Sequence, residues 1–260
     1  MIKELPFSEQ SALFARLSSL AYKEPKEAQK LFKKAGFTEV TYYENKGSNA
    51  YIVESGVDVV IICRGTEVKE WNDVKADLSI ALTPSRTGIG RVHRGFRTYT
   101  DKIWEPIKGH IANIKGKELW ITGHSLGAAM ATLMARRCVM DTTLQTPTAL
   151  FTYGSPRVGD RDYINEFNTL ITHHRWVNDG DIVTKVPFAP LYYHCGTMHH
   201  IGSNDVVTVN YDRKISWTRI LSLLLPHGIF KLISGDTKDH SSELYVQKLT
   251  FWAMNDVSNI

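Results

Sequence analysis

Cysteine is scarce in this 260-residue chain: Cys63, Cys138 and Cys195 make an odd count of three without paired spacing. Neither a disulfide framework nor a thiolate zinc site is expected from them, and Cys63 and Cys138, in apolar segments, read as buried thiols. No apolar run approaches the ~20 residues that span a bilayer. The first ten residues lack a basic region followed by a long apolar one, so the expectation is a chain without a leader, cytoplasmic by default or exported without a signal. Charge of one sign is missing too. Lys and Arg total 31 against 27 Asp and Glu, and the resulting +4 is scattered rather than gathered into a basic run with interleaved aromatics. Nucleic acid is therefore not an expected partner. Internal repeats and low-complexity segments are absent.

What is present suits one large domain over residues 1–260, because 43% hydrophobic residues over this length supply a substantial core. Ser8 can cap a helix over 9–22, and a second helix over 25–34 ends before Gly36. The period then changes to strands over 38–44, 50–54 and 57–63, the last almost continuously apolar, as suits a strand covered on both faces. Helices over 96–114 (with Pro106 as a kink), 128–140 and 161–170 alternate with strands over 119–121, 149–153 and 173–178, and a terminal helix runs to about 255. Such alternation predicts an α/β fold with a mainly parallel sheet and helices on both faces.

One stretch carries chemistry. Gly123-His124-Ser125-Leu126-Gly127 lies between the short apolar strand and the helix over 128–140. A serine on a tight strand-to-helix turn projects its hydroxyl above the sheet, and flanking glycines let the backbone pack closely around it. The helix N-terminus beneath supplies N–H groups to a developing oxyanion. A serine nucleophile needs a general base, and the base needs an acid to orient it, in the chain order serine, acid, histidine. Asp179 and Asp181, just past the strand over 173–178, both qualify as the acid. Downstream histidines are His194, His199, His200, His227 and His240, and His240 has the best setting, after the polar loop 235–239. His199 and His200 are adjacent, would point to opposite faces of a strand, and lack an accompanying carboxylate motif, so no metal is expected.

Several segments together resemble the class 3, or fungal-type, lipase family of α/β-hydrolases: Arg64-Gly65-Thr66, Val92-His93-Arg94-Gly95-Phe96, Gly123 to Ala128, Tyr153-Gly154-Ser155-Pro156-Arg157-Val158-Gly159, Asn178-Asp179-Gly180-Asp181-Ile182-Val183 and Asp239-His240-Ser241, in that order. The resemblance implies an α/β-hydrolase fold and a triad of Ser125, Asp181 and His240. It selects Asp181 because the family's acid directly precedes Ile-Val. It implies oxyanion N–H groups from Thr66 and Leu126, and a lid within 67–91 whose apolar stripe is Val68, Trp71 and Val74. Residues 192–196 are similar to the family's late strand region, where the histidine is not catalytic. Without a leader or disulfides, the chain is more similar to bacterial members than to secreted fungal ones. The apolar stretch 220–233 reads as core or as a wall of an acyl pocket, with a membrane-facing role as the alternative.

The implied activity is hydrolysis of acylglycerol esters through an acyl-enzyme, at a lipid–water interface if the lid moves, and without metal or organic cofactor. Alternatives on the same scaffold are a phospholipase, a short-chain esterase, an acyltransferase, and a lipid-binding module that keeps the fold without catalysis.

Overall fold

The computed structural model describes residues 1–65, 81–114, 116–210 and 237–256. Helices α1 (Phe7–Leu20) and α2 (Pro25–Lys34) lead into strands β1 (Glu39–Asn45), β2 (Ser48–Glu54) and β3 (Asp58–Cys63). A short pair, β4 (Leu82–Pro84) and β5 (Arg91–His93), precedes helix α3 (Arg94–Ile111). Then follow β6 (Glu118–His124), α4 (Leu126–Met140), β7 (Ala149–Tyr153), α5 (Arg161–Leu170), β8 (His173–Asn178), β9 (Thr197–Ile201), β10 (Val207–Val209) and α6 (Ser242–Asn255). The main sheet has the order β1-β2-β3-β6-β7-β8-β9-β10, while β4 pairs with β5 in a separate sheet. Strands β3, β6, β7, β8 and β9 are mutually parallel, and antiparallel strands close both ends.

Period-2 alternation sorts the side chains of the central strands into two cores. Val59, Ile61, Leu119 and Ile121 face the layer of α3, α4 and α5, whereas Val60, Ile62, Trp120 and Phe151 face α1, α2 and α6. Burial on both faces explains the near-continuous apolar reading of β3, all six of whose residues are buried. The first helix differs from expectation at its start. Pro6, not Ser8, is its N-cap, and Ser8 is fully buried inside the helix. Proline suits the entry of a helix, where no N–H is needed. Likewise α3 starts at Arg94, with the His93 ring accepting from the Phe96 N–H, and runs through Pro106 as one helix. The late strand begins at Thr197, after the 192–196 segment rather than within it.

Polar pins seat α1 on the sheet. Ser18 Oγ lies 2.9 Å from Thr122 Oγ1, and the Tyr153 hydroxyl donates to the Ser11 carbonyl at 2.6 Å. Ahead of α1, the buried Asp58 carboxylate accepts from the Trp120 indole N–H at 3.0 Å and from the Ile2 N–H at 3.1 Å. Asp58→Ala would leave both donors dry, at a cost of about 2–4 kcal/mol. Urea unfolding of this variant checks the pin: a loss under about 1 kcal/mol would show that the carboxylate does not hold the chain's start to the sheet.

Candidate active site

Ser125 sits between the end of β6 and the start of α4 with φ 60° and ψ −130°, a conformation costly for a side chain bearing a Cβ. The neighbouring glycines make the turn compatible with its surroundings. A Cβ on Gly127 would lie 2.2 Å from the Cys63 carbonyl oxygen, and one on Gly123 would lie 2.4 Å from the Gly127 carbonyl oxygen. The spacing of the motif is thus a packing requirement between the end of β3, the turn and the first turn of α4. The Ser125 N–H is held by the Tyr153 carbonyl at 3.0 Å.

His240 ends a single helical turn, Thr237–His240, just before α6. Its Nε2 is 2.8 Å from Ser125 Oγ, and its Nδ1 is 3.0 Å from both carboxylate oxygens of Asp181. An ionised carboxylate only accepts, so Nδ1 carries the proton and Nε2 presents its lone pair to the serine hydroxyl. Asp181 itself is fully buried. Burial alone would raise its carboxyl; the adjacent His240, with hydrogen bonds from that ring and from Tyr245, outweighs burial and holds it below the usual carboxylate range. Its Oδ1 also accepts the Val183 N–H at 2.9 Å, while the Tyr245 hydroxyl donates to Oδ2 at 2.7 Å and accepts the Asn178 N–H at 2.8 Å. Every lone pair that would otherwise compete for His240 is occupied, which fixes the carboxylate plane.

Other residues singled out in the sequence lie elsewhere. Asp179 is partly exposed and faces His200, with a separation of 3.6 Å, rather than His240. The His194 Nε2 donates to the Thr184 carbonyl at 2.7 Å, and the His199 ring stacks on Trp176. Leu126 opens α4, where an N–H has no carbonyl one turn back within its own helix. The Arg64–Gly65 loop reaches the same place: a Cβ on Gly65 would lie 3.3 Å from Ser125 Cβ. Thr66, Val68, Trp71 and Val74 lie outside the described residues, as do residues 67–80 of the lid segment, the stretch 220–233 and His227.

Sequence reasoning missed Tyr245 and the surroundings of His124. Tyr245 lies five positions past the histidine on α6, where an apolar helix face gives no sign that one hydroxyl turns inward. The His124 ring lies 4.5 Å from the His240 ring, with its Nε2 2.7 Å from the His240 carbonyl oxygen and its Nδ1 2.9 Å from the Tyr22 hydroxyl. All three cysteine thiols are buried, which pushes Cys138 and Cys195 up to about 12 and leaves them inert.

A mostly parallel sheet that carries serine on a strand-to-helix turn, with acid and histidine delivered by later segments, defines the α/β-hydrolase arrangement. Solved lipases share the fold: lipase II from Rhizopus niveus superposes with a TM-score of 0.71 at 20% identity, covering 90% of this chain and 92% of that one. The triacylglyceride lipase of Rhizomucor miehei gives 0.68 at 21% identity, over 89% and 92%. The class 3 lipase family model matches residues 60–191, and the chain belongs to that family. His240 lies beyond the matched stretch and reaches Ser125 through the fold. Among curated relatives, a lipase of Caenorhabditis elegans is 30% identical over 143 residues, which is 53% of this chain and 40% of the relative. The Rhizomucor miehei lipase is 30% identical over 167 residues, which is 60% of this chain and 45% of the relative. A toxin of Vibrio cholerae is 35% identical over 112 residues, or 43% and 17%. The chain thus spans less than half the length of these three relatives.

Proposed function

We propose that the protein is a serine hydrolase of carboxylic esters, with acylglycerols as its substrates and residues 1–260 as its catalytic domain. The observation that carries this reading is the unbroken contact from Ser125 Oγ through the His240 ring to the buried Asp181 carboxylate. His240 takes the serine proton as Oγ attacks the ester carbonyl, and Asp181 stabilises the imidazolium that forms. The Leu126 N–H receives the oxyanion, together in this reading with the donor that the family resemblance assigns to Thr66. Collapse of this intermediate expels the alcohol, which takes the proton from His240. Water activated by the same ring then releases the fatty acid and restores the serine. The nucleophile, the base and the oxyanion donors all come from the chain. Residues 67–91, with Val68, Trp71 and Val74, serve in this reading as a lid that meets the lipid surface.

Support for acylglycerols comes from the relatives, which include secreted mono- and diacylglycerol lipases of Gibberella zeae, 26% identical over 185 residues, and Fusarium solani, 31% identical over 150. The test is initial rates on a triacylglycerol series followed below and above the solubility limit, beside phosphatidylcholine vesicles. Release of fatty acid that jumps once an emulsion forms is the expected result. Preference for the vesicles would transfer the assignment to a phospholipase, a name borne by two rice relatives 34% identical to this chain. Failure to hydrolyse any ester, with no labelling of Ser125 by a fluorophosphonate, would return the chain to a non-catalytic lipid binder.

A further inference from the structure

Tyr22 lies just beyond α1, more than a hundred residues before the nucleophile, and the chemistry of ester cleavage gives it no task. Its hydroxyl nevertheless meets the inner wall of the site, 2.9 Å from Nδ1 of the buried His124. On the other side of that ring, Nε2 is 2.7 Å from the main-chain oxygen of His240. A carbonyl oxygen can only accept, so Nε2 must carry the hydrogen. Nδ1 of the neutral ring then has only a lone pair, and the Tyr22 hydroxyl donates to it. The opposite tautomer would set a bare nitrogen against the His240 oxygen at hydrogen-bond distance. Burial, and then the neighbouring His240, lower His124 to about 3, so the ring beside the base carries no charge at working pH.

Within its own turn the backbone around the base is tied by the Ser241 N–H, which donates to the Lys238 carbonyl at 3.0 Å. His240 stands on one helical turn, with residues outside the described structure before it and the Ser241 cap of α6 after it. The preceding carbonyl, of Asp239, accepts from the Asn178 side-chain amide at 3.0 Å. Two successive carbonyls of this turn are therefore gripped by side chains from the ends of β8 and β6. The second grip lies directly on the residue whose ring must meet Ser125.

We propose that Tyr22 and His124 are positioning residues for the base: the Tyr22 hydroxyl holds His124 as its Nε2–H tautomer, and that N–H clamps the His240 main chain so that the imidazole is aligned on Ser125. This rests on the ester-hydrolase reading and adds to it the reason for a histidine ahead of the nucleophile and a tyrosine at the end of the first helix. Misplacement of a reacting group by about 1 Å is enough to cost on the order of 100-fold in rate.

The test joins kinetics on a soluble short-chain ester, which bypasses any interface, to the tautomer of the His124 ring read by ¹⁵N-histidine NMR. Tyr22→Phe keeps the ring packing and removes the donor. It should lower kcat about 10-fold with KM within about twofold, and the His124 signals should change from pure Nε2–H to a mixture of tautomers. His124→Leu should lose about 100-fold in kcat, whereas His124→Gln, able to present an N–H at the Nε2 position, should recover about 10-fold of that. In the His124→Gln background, adding Tyr22→Phe should cost nothing more. Independent losses in the double variant, losses confined to KM or to melting temperature, or an Nδ1–H tautomer in the unaltered protein would each overturn the proposal. If the unaltered protein cleaves no ester, the hydrolase reading fails, and the NMR result alone then decides whether Tyr22 sets the His124 ring.

Discussion

On the ester-hydrolase reading, Ser125→Ala should lower kcat by about 10⁵- to 10⁶-fold and leave the fold intact. The magnitude is that of losing the nucleophile from a triad that acts as a unit, with any residual rate coming from substrate binding and oxyanion donors. Selectivity for activity over stability follows from the backbone. Alanine keeps the Cβ, so the turn at φ 60° and ψ −130° is no more costly than in the parent chain. Ser125→Gly is the informative companion. It removes the same oxygen and also relieves the positive φ, so it should be equally inactive yet more stable by about 1 kcal/mol. Kinetics on a soluble ester and urea unfolding of both variants check the pair. Activity of Ser125→Ala above about a hundredth of the parent would dismiss this serine as the nucleophile.

Acidification from pH 7 to pH 5 should remove at least about 2 kcal/mol of stability, a sizeable share of the margin of an ordinary domain. Histidines lowered by burial are responsible: His124, His173, His194 and His199, with the less buried His174. Burial lowers His124 to about 3 and His199 to about 4, and it holds His173, with Arg175 and two other histidines near it, well below the ordinary 6.5. Among the described residues, no carboxylate acts on His173 or His199. Thr152 contacts the former, and Trp176, Phe7 and His174 surround the latter. For His124, nearby Asp181 favours the charged form but is outweighed by burial and His240. Because each folded value is depressed, the unfolded chain binds more protons below 6.5, and stability falls as pH drops from there toward the folded values. At pH 5 the buried His124, with a folded value of about 3, accounts for about 2 kcal/mol of this loss, and the other rings add to it in the same direction. Asp181, also depressed, acts lower: its share persists until pH falls through the ordinary carboxylate value of 3.8 and beyond. Urea midpoints at pH 7, 6 and 5 would show a steady decline; equal midpoints at pH 7 and 5 would mean that these rings accept protons inside the fold.

The parts of this architecture that were legible in the sequence are those where one physical demand acts along the chain. The apolar run ending at Cys63 reads as a doubly covered strand, and α5 and β7 have the bounds that their periodicity indicates. Where two demands compete, sequence reading falters. Strand β10 is three residues long at the sheet edge with Thr208 and Val209 exposed, so it has no buried face to betray it. The start of α1 was misplaced because Ser8 has the chemistry of a cap but is needed inside, where Pro6 can begin the helix instead. In the site, spacing marks Ser125 because glycines must flank it. By contrast, the choice of Asp181 over Asp179 depends on which carboxylate the fold turns inward, a tertiary fact. Tyr22, His124 and Tyr245 act through single hydroxyls or ring nitrogens brought together across long stretches of chain, and no local pattern records such meetings.

The separation of Ser125 from His240, 115 residues apart in the chain, gives the site a timetable. As the polypeptide is made, the strand, turn and helix that hold the serine emerge and can pack long before the base exists. At the usual pace of synthesis, roughly 5–20 residues per second, the interval lasts on the order of ten seconds. Throughout it Ser125 is an ordinary alcohol with no partner to take its proton. On the ester-hydrolase reading, the nucleophile therefore stays without its base until the chain through α6 has been made and packed against the sheet.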